Sequence, residues 1–176
     1  FQQFAFIRGQ EGDAYVSSAR MTGVDISHYL HPSLAGTARE ASHRRYLANV
    51  ADRHYEEDYF APKVFREAMR FVEDNRNDDF CLVVDCFDPH EPWDPPRWYW
   101  ELYDPGYEGQ DLIWPPYGPT DDLTRAEIDH IRALFAGEVT MVDKWLGLFV
   151  EKMRALRLLD DTLVMVVSDH GHSLGE

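Results

Sequence analysis

Two near-continuous apolar runs constrain this chain more than any other feature: Phe80-Cys81-Leu82-Val83-Val84-Asp85-Cys86-Phe87 and Leu163-Val164-Met165-Val166-Val167. Each has the length of a strand, and neither alternates cleanly, which is the pattern of strands buried on both faces. Between them, Thr124-Arg125-Ala126-Glu127 has the form of a capping box. It is followed by Ile128, Ile131, Phe135, Val139, Val142, Leu146, Phe149, Met153 and Leu156 at three- and four-residue spacing. That spacing predicts one long amphipathic helix, or two joined by a kink. Strand, helical crossover and strand make the βαβ unit, and if both strands share a parallel sheet their carboxyl ends lie along one edge.

The remaining segments read around this unit. Residues 1 to 35 show no sustained period and are expected to be loops with at most one short strand. A polar helix is expected from Thr37 to about Tyr55. A firmer one begins near Pro62 and carries Phe65, Ala68, Met69 and Val72 on one face before the breakers Asn75 to Asp79. Residues 91 to 120 hold Trp93, Trp98, Tyr99, Trp100 and Trp114 among seven prolines, which forbids regular structure and predicts a long ordered loop. This loop either walls a substrate pocket or packs on itself to cover the sheet edge. Gly137 and Gly147 fall inside the long helix, where each costs about 1 kcal/mol relative to Ala, so each calls for a close backbone neighbour.

Composition narrows the partners. The 176 residues are 44% hydrophobic and 14% aromatic, enough for one folded domain, and no apolar run is long enough to span a bilayer. With 17 Lys plus Arg against 32 Asp plus Glu the formal charge is -15, which disfavours nucleic acid and anionic membrane surfaces as partners. A small anionic substrate would need a cation or local basic groups to overcome that field. Cys81 and Cys86 sit roughly 16 Å apart on opposite faces of an extended strand and cannot pair there. Two unpaired cysteines weakly favour a cytoplasmic over a periplasmic setting. The chain opens at Phe1 rather than Met and closes at Glu176 just past the second strand, so both ends read as cut.

Both strands discharge polar residues at the shared edge: Asp88 and His90 from the first, Asp169 and His170 from the second. Asp169-His170 offers a carboxylate and an imidazole side by side, a pair suited to a divalent ion, or else a strand-terminating turn with Gly171 supplying the unusual φ. His90 is either a donor or proton source toward a charged ester, or a ring bonded to loop carbonyls between Pro89 and Pro92. His28, His31, His43, His54 and His130 read as surface residues, and His172 stays open. Neither cysteine has an activating base beside it, and no Gly-x-Ser-x-Gly elbow or glycine-rich phosphate loop occurs.

Three stretches together resemble the sulfatases of the alkaline-phosphatase-like superfamily. They are Phe87-Asp88-Pro89-His90-Glu91-Pro92-Trp93-Asp94-Pro95-Pro96, then Gly137-Glu138-Val139-Thr140-Met141-Val142-Asp143 with Gly147, then Asp161-Thr162 through Ser168-Asp169-His170-Gly171 to Leu174-Gly175-Glu176. Residues Phe6 to Asp13 are also similar to a segment of bacterial members. The resemblance implies an α/β fold, a three-layer α/β/α sandwich, present here as an internal part of one catalytic domain. It implies hydrolysis of a sulfate ester by a formylglycine nucleophile, with the anionic oxygens held by a divalent cation. Asp169 and His170 match the metal-ligand pair, and His90 matches the histidine that contacts the sulfate group. Trp93, beside it, is a candidate substrate contact. The resemblance favours Ca²⁺, and the imidazole ligand leaves Mn²⁺ or Zn²⁺ open. Glu138 and Asp143 match motif positions on the helix and are assigned structural work. Phosphonate or phosphate ester hydrolases of the same superfamily, and a non-catalytic glycan-binding homologue, are the competing readings.

The family's Cys-x-Pro-x-Arg nucleophile motif and its early acidic ligands have no counterpart in these residues. An isolated polypeptide of residues 1 to 176 is therefore expected to show no turnover of an aryl sulfate above background, which a colorimetric assay with 4-nitrophenyl sulfate checks.

Overall fold

A computed structural model describes residues 3–175. Its principal helices are α1, Ala38–Val50; α2, Phe60–Asp74; the single turn α3, Arg97–Trp100; and α4, Arg125–Ala155. Thr37 caps α1 by accepting a hydrogen bond from the Arg39 amide. At the start of α4 the capping box forms: the Thr124 hydroxyl accepts from the Glu127 amide at 3.2 Å, and the Glu127 carboxylate accepts from the Thr124 amide at 2.7 Å. The helix runs unbroken for 31 residues, so the single-helix reading holds. Four orphan amides at a helix start make such reciprocal capping worth about 1 kcal/mol.

Two apolar clusters meet on α4. Phe65, Ala68 and Val72 of α2 pack against Met141, Trp145, Phe149 and Met153, with the Phe65 and Phe149 rings 6.3 Å apart. The N-terminal half of α4, through Ile131, Ala133 and Leu134, instead meets Trp93, Trp100, Leu112, Ile113 and Trp114 together with Tyr46 of α1. Burial of side chains this large stabilises by roughly 1.5–3 kcal/mol each before entropy is subtracted. The aromatic segment is thus core rather than rim. It contains one helical turn that its prolines were expected to forbid, and Trp98, at 55% exposed, is the tryptophan left in solvent.

No strand is formed among the described residues. The run 80–87 still alternates in burial: Leu82, Val84 and Cys86 lie against the α2–α4 cluster, and Cys81, Val83 and Asp85 face outward. Leu163, Met165, Val166 and Val167 are each more than 70% exposed. A parallel strand exists only through hydrogen bonds to neighbours on its edges, and no described segment pairs with either run. The expected βαβ sheet and three-layer sandwich are therefore not formed among the described residues, although the order of run, long helix and run is as read. Both cysteines are free.

Three histidines assigned to the surface are buried instead: His31, His43 and His130. His130 shows why. Its ring bridges Asp104 through Nδ1 at 3.2 Å and Asp111 through Nε2 at 2.8 Å, and it stacks on Tyr107 with centroids 3.7 Å apart. Burial would raise the Asp111 carboxyl, but hydrogen bonds from His130 and His28 hold it below its ordinary value. A histidine whose two nitrogens both find carboxylates can be buried without an unmet polar group, and that partnership spans 26 and 19 residues of sequence.

The two helix glycines part company. A Cβ on Gly137 would lie 3.0 Å from the Trp100 amide nitrogen and 3.0 Å from Pro95 Cγ, whereas one on Gly147 meets nothing within 4 Å. Gly137→Ala is expected to destabilise by about 1–3 kcal/mol through overpacking of α3 on α4. Gly147→Ala should be neutral or stabilise by up to about 1 kcal/mol through helix propensity. Urea unfolding of the two variants, compared at equal m, checks both signs.

Candidate functional site

The segment 87–94 is held from beneath by a buried polar network. Asp88 is buried and accepts from the Ala61 amide at 2.8 Å, in the first turn of α2. It faces Glu138 of α4, also buried. Asp94 accepts from the Tyr46 hydroxyl at 2.6 Å and from the Arg53 guanidinium at 2.8 Å. Arg53 in turn stacks on Tyr59 and Phe60, at 4.3 and 4.4 Å from their ring centroids. Burial pushes the Asp88 carboxyl up to about 6 and the Glu138 carboxyl well above its ordinary value, the nearby carboxylates adding to the effect on Glu138. Asp88, expected at the shared edge beside His90, is thus withdrawn into the core, where it binds α2 to α4. Glu138 does structural work here, and Asp143 lies exposed on α4.

Above this network the loop turns outward. The His90 amide donates to the Phe87 carbonyl at 3.0 Å, and its ring lies 4.5 Å from the Phe87 ring. The second segment is brought alongside by α4. Arg132 donates to the Leu174 carbonyl at 2.9 Å and reaches the Gly175 carbonyl at 3.4 Å, and Leu174 packs on the cluster containing Trp93. The result is a file of three imidazoles: His90 to His172 at 5.4 Å between centroids, and His172 to His170 at 5.5 Å. His90 and His170, 80 residues apart in sequence, therefore approach one another with His172 between them.

Asp169 and His170 stand at the solvent end of the file, their side chains 91% and 58% exposed and 3.8 Å apart. The His170 Nδ1 lies 2.9 Å from the Gly171 carbonyl. A carbonyl only accepts, so that nitrogen carries a proton, and in the neutral ring Nε2 keeps its lone pair, the arrangement usual in metal-bound histidine. The pair thus has the donor chemistry for a divalent cation. It is not a complete set: among the described residues no group of three or more His, Cys, Asp or Glu side chains is placed to hold a metal.

Trp93 does not present its face to solvent. It is 4% exposed, its indole N–H donates to the Pro89 carbonyl at 2.9 Å, and it meets His172 and Phe135 edge-on at 5.6 Å each. The candidate substrate contact is therefore a floor beneath His172, because the aromatic segment packs on itself, with Trp93 in one cluster with Trp100, Leu112, Ile113 and Trp114. Two site members escaped the sequence reading. His172 carried a signal, since His170 and His172 at i and i+2 share a side of an extended segment. Glu91, 2% exposed between Pro89 and Pro92, carried none.

A family model described as Sulfatase matches residues 15–176. Among curated proteins, the chain is 26% identical over 162 residues to a choline-sulfatase of Rhizobium meliloti (strain 1021), covering 81% of this chain and 30% of that protein. It is 26% identical over 114 residues to an arylsulfatase of Clostridium perfringens (strain 13 / Type A), covering 55% of this chain and 23% of the relative. To an ulvan-active sulfatase of Formosa agariphila it is 30% identical over 115 residues, covering 64% and 21%. The chain thus spans less than a third of the length of these relatives. No solved structure matches significantly.

The carboxyl pair beneath the site makes stability depend on pH. A carboxyl with a raised folded-state value holds its proton more tightly folded than unfolded. Its contribution is therefore full at low pH and is lost as the pH climbs from 3.8 through about 6. For fully buried Asp88 this corresponds to roughly 3 kcal/mol. Glu138→Gln keeps a donor facing Asp88 at every pH, so it should flatten that decline and raise Tm at pH 8 by on the order of 5 °C. Thermal unfolding of both proteins between pH 4 and pH 8 measures the difference.

Proposed function

Because the chain belongs to the sulfatase family, we propose that it forms part of an enzyme that hydrolyses a sulfate ester with the help of a divalent cation. The observation that carries this reading is the convergence of His90 with His170 through His172, from segments 80 residues apart. In this reading the two apolar runs are strands of the family's α/β/α sandwich, and the exposed faces of 163–167 are where neighbouring strands lie. The similarity to a choline-sulfatase, an arylsulfatase and an ulvan-active sulfatase supports the ester class and leaves the esterified group open.

Each residue then has a defined task. Asp169 and His170 supply a carboxylate and an imidazole Nε2 to the cation, with Ca²⁺ favoured and Mn²⁺ or Zn²⁺ compatible with the imidazole. The cation, when bound, neutralises charge on the ester's non-bridging oxygens. That offsets the repulsion a chain of formal charge -15 exerts on a sulfate ester. His90 has one nitrogen committed to the backbone, since its Nδ1 lies 2.7 Å from the Glu91 carbonyl, and this leaves Nε2 for the sulfate group. When the ring is the imidazolium, that Nε2 carries the second proton and donates to the ester oxygens as charge builds on them in the transition state. No Cys or Ser in the x-Pro-x-Arg context occurs in residues 1–176, so the formylglycine nucleophile of this reading is contributed from outside them.

The test uses the intact protein that carries these residues. His90→Ala should lower kcat/KM for 4-nitrophenyl sulfate by about 10²–10³-fold without loss of bound metal. Asp169→Ala should lose metal, measured by elemental analysis, together with activity. Full metal occupancy in Asp169→Ala would remove the ligand assignment, and faster turnover of phenylphosphonate than of the sulfate would move the reading to phosphonate esters.

A further inference from the structure

Glu91 is a carboxylate beside the imidazole file with a buried oxygen left over. It is buried to 2% exposure, and its Oε1 accepts from the Tyr117 hydroxyl. Its Oε2 is buried with no hydrogen-bond partner. An uncompensated buried carboxylate oxygen is costly, so it calls for an electrostatic neighbour. Two imidazoles face it: His90 Nδ1 at 3.4 Å and His172 Nδ1 at 3.7 Å. Both distances are long for a hydrogen bond and within reach of an ion pair.

The chemistry of His90 excludes a metal between these three groups. Its Nδ1 lies 2.7 Å from the Glu91 backbone carbonyl, which only accepts, so that nitrogen bears a proton and has no lone pair for a cation. The same N–H therefore points at acceptors of Glu91 alone, its carbonyl and its carboxylate. Tyr117 locks the carboxylate from the other side, and the Arg39 guanidinium, stacked between Trp114 and Tyr117 at 4.5 and 4.7 Å, lies within electrostatic reach. Trp93 and Phe135 wall His172, so its ring is confined while Nδ1 faces Oε2.

We propose that Glu91 is a positioning residue of this site. Its backbone carbonyl takes the Nδ1–H of His90, and its buried carboxylate, facing the Nδ1 of both His90 and His172, favours a proton on that nitrogen of each ring and so orients both with Nε2 toward the sulfate ester. The inference deepens the proposed function and rests on the reading that His90 meets the sulfate group. A carboxylate behind a substrate-facing imidazole raises its basicity and stabilises the imidazolium, whose Nε2–H can then donate to an ester oxygen, the role such outer partners play behind metal-bound and catalytic histidines. His172 thereby becomes a second imidazole of the site rather than a bystander of the Asp169-His170 pair.

The experiment compares wild type, Glu91→Gln and His90→Ala in the intact protein with 4-nitrophenyl sulfate. Glu91→Gln preserves shape and the acceptor for Tyr117 but removes the charge. It should lower kcat by about 10- to 100-fold, the range for outer-shell partners, with KM changed less than about threefold. A Glu91→Gln enzyme within twofold of wild-type kcat, beside a collapsed His90→Ala, overturns the role of Glu91 and leaves the sulfate reading standing. Unchanged turnover in His90→Ala overturns that reading and this inference with it. Should Glu91→Gln fail to fold, ¹⁵N imidazole spectra of wild type decide: protonated Nδ1 on both His90 and His172 is expected, and a bare Nδ1 on His172 overturns the proposal.

Discussion

The arrangement rests on a buried polar knot in which the loop from Asp88 to Asp94 is tied to three helices. Asp88 binds the start of α2 and faces Glu138 in the middle of α4, and Asp94 takes Tyr46 of α1 and Arg53 just beyond it. Burial of this many charges is unfavourable unless they are paired, and the bonds of Asp88 to Ala61 and of Asp94 to Tyr46 and Arg53 make the geometry specific, while Glu138 Oε2 and Arg53 Nε have no hydrogen-bond partner. His90 and Glu91 sit in the middle of the loop whose two ends the knot holds, so their positions follow from the knot rather than from their own contacts.

α4 does the rest of the positioning. Its middle carries Glu138 into the knot and Gly137 against α3, and its first third carries Arg132, which holds the carbonyls of Leu174 and Gly175. One helix thus sets the height of both segments that meet at the imidazole file. The aromatic segment closes over the same helix, with His130 bridging Asp104 and Asp111 to fasten it. A site on a loop gains precision in this way when rigid elements hold the loop at both ends.

The acidity of the chain and the chemistry of the site are complementary. A formal charge of -15 would repel a sulfate ester, yet the residues gathered at the file are three imidazoles with the buried carboxylate of Glu91 behind two of them and the exposed carboxylate of Asp169 beside the third. In the proposed function anion recognition is concentrated there, against a chain whose net charge otherwise repels anions. Among the described residues no helix is long and apolar enough to cross a membrane.

Local grammar was legible in the residues themselves. The Thr124–Glu127 capping box, the three- and four-residue spacing behind it, the apolar face of α2 and the motif-bearing segments around His90 and Asp169-His170 are all short-range patterns, and short-range physics reads them. Partnership across sequence was not. Asp88 looked like an edge residue and proved to be an anchor, because its environment is made by Ala61 and Glu138, 27 residues before it and 50 residues after it. His130 and His43 looked exposed, and Trp93 looked like a contact surface, because the residues that bury them, Trp114 over His43, Asp104 and Asp111 on His130, and Ile113 and Trp114 around Trp93, lie far from them in sequence. Glu91 and His172 became site members only once Arg132 drew the last described segment beside the loop. Sequence alone determined which residues could do the chemistry and the family they belong to. Tertiary structure decided which of them meet, since burial and pairing energies depend on neighbours that only the folded chain supplies.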